Sequence, residues 1–322
     1  VLRCDGGGRN ESRPAVNIAI CLLLYSLAML VAGPPLLREL TWHGHAPRFG
    51  VAAWLTAIAT VLLTWLLAAG MTLLAVASHW IYPRALVESC LVRLRGVVAP
   101  SITLGVIGAM VALLAAVSSV RLASTVSRMR ARARAHAEAV CMVGHRNGDG
   151  YVLVDAAEPA AYCVAGRPPA IVVTSAALAA LDEKELAAVL AHERAHLHGR
   201  HSLVVTTLRG LAAILPKLTL MREGASEVSR LLEMCADDAS ARRHGSGVLL
   251  SGLITMCRAT PAGALAAADV AVLARADRLA VPPGDPAIAR ARAALISVIA
   301  VMVFGPVMTA ALAASGILTC VI

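Results

Sequence analysis

Chemistry concentrates in one five-residue stretch, His192-Glu193-Arg194-Ala195-His196. Histidines four apart on a helix stand on one face, where both imidazoles can grip a single Zn²⁺. Glu193, beside the first of them, is placed as a general base toward a water that the ion activates. Random placement of this chain's histidines and glutamates yields the pattern about 0.01 times, so chance is a weak competitor. A catalytic zinc needs a third protein ligand and an open position. Candidates downstream are Glu223, Glu227, Glu233, Asp237 and Asp238. Glu233 is favoured, because residues 231–243 read as a second helix on which Glu233 and Asp237 form an i, i+4 pair. One carboxylate then binds the metal, and Asp237 holds a ligand imidazole through its free N–H. His198 lies two residues from His196 and faces elsewhere, while His201 follows Gly199; both read as supporting groups. His244, after the second helix, is the candidate to polarise a carbonyl or stabilise an oxyanion. The competing reading is a surface helix with incidental histidines, and an acidic face balanced by Arg230, Arg242 and Arg243.

These residues need elements to hold them. Asp182 with Glu185 three positions on makes a helix N-cap, Leu186, Val189, Leu190 and Leu197 give that helix an apolar face, and Gly199 ends it. Upstream, residues 151–155 and 170–174 are β-branched runs and 161–166 is a third extended segment, set off by Arg167, Pro168 and Pro169. A small sheet of two or three strands fits. Residues 121–139 read as a basic helix.

The chain's composition places this assembly at a membrane. Of 322 residues, 58% are apolar and 15% charged, against about 45–50% and 25% in soluble domains. Four runs lack Arg, Lys, Asp and Glu: 14–37, 49–83, 96–120 and 293–322. Each can supply the ~20 apolar residues of a crossing. The fold class expected is a mainly α-helical integral membrane protein, with four transmembrane helices and a small α+β zincin-type metallopeptidase domain. Its parts are an N-terminal region 1–120 with spans at about 16–37, 49–78 and 96–120, a zinc domain at 121–292, and a last span at 293–322. Residues 202–220, broken by Arg209, Pro216 and Lys217, read as a membrane-skimming or core-packed helix. Trp42, Trp80 and Tyr82 stand at span ends, where amphipathic rings prefer to lie. Arg121, Arg128, Arg130, Arg132, Arg134, Arg290 and Arg292 flank the zinc domain, which puts it in the cytoplasm and the C-terminus outside. Arg84, Arg93 and Arg95 in the second connection pull the other way, as do Arg3, Arg9 and Arg13 unless translation starts at Val16 rather than Val1. The eight cysteines, with no CxxC, read as thiols and not as a disulfide framework. The net charge of +9 rests on 27 Arg with Lys184 and Lys217. It reads as compositional bias with no direct nucleic-acid partner, since juxtamembrane bases serve orientation and anionic lipid first.

The segments AYCVAGRPPAIVVTSAALAALDEKELAAVLAHERAHLHGRH (161–201) and LLEMCADDASARRH (231–244), with three spans before them and one after, resemble the BlaR/MecR-type family of integral-membrane zinc metallopeptidases. These are gluzincins related to the HtpX-like proteases. The resemblance implies His192, His196 and Glu233 as ligands of one zinc per chain, Glu193 as catalytic base, and Asp237 as the aspartate of an E-x-x-x-D helix. It also implies a small sheet whose edge strand, in the 161–174 hairpin, binds an extended peptide. Substrates would be cytoplasmic proteins, among them a winged-helix repressor of the BlaI type; oligomeric state is left open. Two departures stand out. BlaR-type sensors continue into a penicillin-binding domain after the last span, whereas this chain stops at Ile322 and is not expected to sense β-lactam that way. Where family members often carry Asp, five residues after the second ligand histidine, this chain has His201. HtpX-like proteases place membrane segments between the two metal half-sites, whereas 36 residues separate His196 from Glu233 here. A membrane quality-control protease of that kind and a non-proteolytic zinc-binding transducer are the rival readings.

Overall fold

A computed structural model describes residues 12–80, 98–146, 148, 150–164, 166, 169–258 and 269–318. In chain order the elements are α1 (Ser12–Thr41), α2 (Pro47–Trp80), α3 (Val98–Val143), β1 (His145–Arg146), β2 (Val152–Val154), β3 (Ala161–Val164) and β4 (Ala170–Thr174). Then follow α4 (Ser175–Ala180), α5 (Glu183–His198), α6 (His201–Ile214), α7 (Thr219–His244), α8 (Ser246–Arg258), α9 (Asp269–Ala280) and α10 (Asp285–Ala314). They group into two compact units. The described residues of the first fall within Val1–Leu37, Ala53–Arg121 and Ile296–Ile322, those of the second within Arg38–Ala52 and Leu122–Leu295.

Among the described residues three stretches have the length and hydropathy of a crossing: Asn17–Thr41, Pro47–Met71 and Asp285–Ala314. The expected third span coincides with the first half of α3; Gly96, Val97 and the connection 81–97, with Tyr82 and its three arginines, lie outside the described residues, as do Arg3 and Arg9. Within the first unit, polar side chains find partners on neighbouring helices, as a low-dielectric environment requires. Asn17 Nδ2 donates to the carbonyls of Ala313 and Leu318 at 3.2 and 2.8 Å, and Trp65 Nε1 donates to Ser26 Oγ at 3.0 Å. Gly305 lets α10 approach α1 closely, since a Cβ there would overlap the Tyr25 ring. Leu24, Leu27, Leu63, Leu66 and Phe304 remain exposed, the surface that lipid tails would cover. Cys141, Cys163, Cys235 and Cys257 are free thiols, but Cys21 is disulfide-bonded, which corrects the reading of all eight as thiols.

The second unit is built on a four-stranded sheet in the order β1-β2-β4-β3. β2 and β4 run parallel, the other pairs antiparallel, and β3 is an edge strand. The two-residue β1 has no apolar run to announce it. β4 is central because its Ile171-Val172-Val173 alternate between two covered faces. Val172 packs with Ala137 and Val140 of α3, while Ile171 and Val173 pack with Ala177 of α4 and Leu190 of α5. α5 starts where expected, with Asp182 and Glu185 forming a reciprocal capping box at 2.7 and 3.1 Å. It ends at Gly199, and Arg200, at φ 50°, turns the chain into α6. α7 begins twelve residues earlier than its expected start at 231. α5 and α7 lie side by side: Ser240 Oγ donates to the Ala188 carbonyl at 2.7 Å, and Ala188 and Ala236 are fully buried. α6 packs on α7, with Gly210 against Leu122 of α3, so the core-packed alternative describes residues 202–214.

Candidate metal centre

Helix periodicity carries the site. On α5, His192 and His196 project one turn apart; on α7, Glu233 and Asp237 do the same from the facing helix. The Nε2 atoms of His192 and His196 are 3.0 Å apart, and each lies 3.5 Å from a carboxylate oxygen of Glu233. The three side chains thus offer ligand atoms to one point, and they are the described cluster able to hold a metal ion. Zinc bonds of about 2.0–2.1 Å in a tetrahedron would set its ligand atoms about 3.3 Å apart, so two imidazoles and this carboxylate fit zinc.

Behind the cluster, each imidazole has its own support. His192 Nδ1 lies 3.1 Å from Asp237 Oδ1, off the line of a straight hydrogen bond. Asp237, 1% exposed, takes two hydrogen bonds from Arg275 of α9, from Nε at 2.8 Å and Nη2 at 2.7 Å. Arg275 Nη1 also reaches Glu233 at 3.2 Å. His196 Nδ1 meets His201 Nδ1 at 2.8 Å. With Nε2 of His196 turned to the cluster, its Nδ1–H is the donor and His201 accepts.

The charges are set by this packing. Burial works against a charged His192, but Asp237 and Glu233 outweigh it and raise the ring to about 9. Burial pushes Glu233 up, yet the two histidines and Arg275 hold it far below the carboxylate range. Asp237 is likewise lowered against burial by His192 and Arg275. For His201, burial and then His196 press the ring down to about 4, keeping it a neutral acceptor. Glu193 moves the other way: burial raises it, against His192 and His196. Cys163 of β3 reaches Glu193 through its backbone N–H and its thiol, and burial followed by Glu193 pushes that thiol up to about 12.

A cavity of about 500 Å³ opens over the cluster, walled by Ala161, Tyr162 and Cys163 of β3 on one side and by Arg209 and Arg275 among others. His192, Glu193, His196, Glu233 and His201 all line it. His244 does not: it is the last residue of α7, eleven residues past Glu233, or roughly 16 Å along the axis. This corrects its expected place, since the cation that the fold brings to the cluster is Arg275. His198 is exposed and bonds the Arg194 carbonyl, as a different helix face requires. No motif marks Arg275 in the sequence, although a buried Asp237 calls for a cation.

Residues 121–268 match the model of peptidase family M48. That segment, somewhat under half of the chain, contains His192, Glu193, His196, Glu233 and Asp237 and stops before Arg275. The chain is also 38% identical over 80 residues to a protein described as a protease HtpX homolog from Acidiphilium cryptum (strain JF-5). The aligned part is 23% of this chain and 28% of that relative's length. No solved structure matches the chain. The M48-type segment, the HtpX-homolog similarity and the apolar helices support a metalloprotease associated with a membrane, and the comparisons do not single out the BlaR/MecR type.

Proposed function

We propose that this protein is a zinc-dependent endopeptidase anchored by four membrane spans, with its peptidase domain in the cytoplasm. The observation that carries the reading is the meeting of His192, His196 and Glu233 beside Glu193, in a cleft along an edge strand. The Nε2 atoms of His192 and His196 and the Glu233 carboxylate would hold the metal. Zinc held there would supply Lewis-acid polarisation of a scissile carbonyl and lower the pKa of water. Glu193 takes the proton of the attacking water on its carboxylate and passes it to the departing amine. Its raised proton affinity suits both transfers. The Cys163 N–H and thiol orient that carboxylate toward the cleft. An extended substrate would pair along β3, whose outer edge has no strand beside it among the described residues. That favours segments without helix, such as linkers and tails.

One connection supports the reading with four crossings. The α1–α2 connection packs on the peptidase unit, with Arg230 donating to the Thr41 and Trp42 carbonyls and Arg278 to that of Gly44. If α2 crosses from there, the chain must cross back before residue 122, and the first half of α3 is the apolar helix that we propose makes this return. The arginines flanking 121–292 favour the cytoplasm for that side and the exterior for the C-terminus.

Expected for the purified full chain is about one zinc per chain, and for Glu193→Gln full zinc content with cleavage reduced about 10²- to 10⁴-fold. Unchanged cleavage by Glu193→Gln would refute the mechanism. A BlaI-type repressor is one substrate of the implied kind. The HtpX-homolog similarity favours a second reading, broad clearance of membrane proteins. Proteomes of cells carrying the native or Glu193→Gln protein separate them: one or a few stabilised repressors for signalling, many membrane proteins for clearance.

A further inference from the structure

Away from the catalytic cleft, a second cavity of about 560 Å³ lies within the peptidase unit, where α2 and α10 begin. Four arginines line it: Arg48 in the first turn of α2, Arg242 near the end of α7, Arg278 of α9 and Arg292 of α10. The acid on its wall is Asp238, and that charge is already matched by Arg278 Nη1 at 2.7 Å. Arg292 lies over the Phe49 ring at 4.9 Å, which fixes its guanidinium beside the opening. Arg48 and Arg242 are exposed and meet no carboxylate among the described residues. Both also line an adjoining cavity with Arg243, where no acid joins them. Burial, then His43, Arg278 and Arg290, hold His45 on the same wall below its ordinary value.

A solvated face normally mixes both signs of charge. Here a concave wall gathers planar donor forks around unmatched space, the arrangement that recognises phosphate. We propose that this cavity binds the phosphate of an anionic phospholipid headgroup, with Arg48, Arg242, Arg278 and Arg292 as its cationic wall. The lipid source follows from position. Arg48 and Arg292 fall within the apolar stretches Pro47–Met71 and Asp285–Ala314 and directly precede their charge-free runs, which begin at residues 49 and 293, so the wall lies where those runs would enter a bilayer. Trp42, in the connection before α2, is 65% exposed, as an interfacial ring is. Anionic lipid at a cytoplasmic surface attracts basic side chains at this depth. The inference rests on α2 and α10 being spans and not on the peptidase chemistry, so Glu193→Gln protein serves equally in its test.

The test is native mass spectrometry of the full chain in neutral detergent, with phosphatidylglycerol, phosphatidylcholine or inorganic phosphate added. Expected is retention of phosphatidylglycerol over phosphatidylcholine. Arg48→Gln with Arg242→Gln should weaken that retention on the order of thirtyfold. Lysine at the same two positions should keep most of it, which separates loss of charge from loss of fold. Arg146→Gln with Arg258→Gln, exposed on β1 and α8 and away from both this wall and the juxtamembrane arginines, should leave it unchanged. Equal retention of phosphatidylcholine, an equal loss in that control pair, or occupancy by inorganic phosphate matching that of the lipid would overturn the assignment.

Discussion

Behind His192 stands a carboxylate, Asp237, itself held by the buried Arg275; behind His196 stands a second imidazole, His201. One side is a charged chain of three residues drawn from α5, α7 and α9. The other is neutral and local, formed within five residues of one chain segment. A carboxylate behind a ligand histidine raises its basicity and locks its ring. A neutral imidazole locks the ring but adds no charge. The difference teaches that the first half-site is tied to the stability of the whole helical unit, whereas the second can be altered alone.

The largest effect should come from breaking the charged side. Asp237→Asn leaves Arg275 buried before a neutral amide, and loss of one partner of a buried pair costs about 3–5 kcal/mol. We expect a matching fall in thermal stability, and zinc affinity lower by about 10- to 100-fold in chelator competition. If stability is untouched, the two sides do not differ in the way described. Next comes Arg275→Met, which strips Asp237 of two hydrogen bonds and Glu233 of its ion pair. The metal-free protein should lose about 3 kcal/mol. Zinc should then raise the melting temperature of the variant more than that of the native chain, because the ion restores a cation beside Glu233.

What could be read from the sequence divides along the same line. His192, Glu193, His196, Glu233 and Asp237 sit at helical spacings of one and four, so a local rule finds them, and the capping pair Asp182 and Glu185 fixes where the first helix begins. β4 was equally legible from Ile171-Val172-Val173. Arg275 was not, because it lies 42 residues beyond Glu233 on a helix with no motif, and only the packing of α9 on α7 brings it in. The sequence suggests His244 for the cluster, but α7 runs on to it and carries it past. His201 stands out in the sequence where an aspartate is common, but its contact depends on Arg200 taking a left-handed turn, which non-glycine residues rarely adopt and no local signal announces.

The smallest effect belongs to that neutral side, and it can sharpen the comparison by making the two sides alike. His201→Asp would put a carboxylate behind His196, and zinc affinity should rise by up to about tenfold, with His201→Ala falling by a similar factor. Neither should move thermal stability as Asp237→Asn does, since His201 holds no buried charge. Gly199 supplies an independent handle. A Cβ there would collide with the His201 ring, so Gly199→Ala should push the ring from His196 and weaken zinc as His201→Ala does. Adding Gly199→Ala to His201→Ala should then change little, because the collision has lost its target. Additive losses in that double variant would mean that Gly199 acts on the end of α5 itself, and that His201 is not the support of the second half-site.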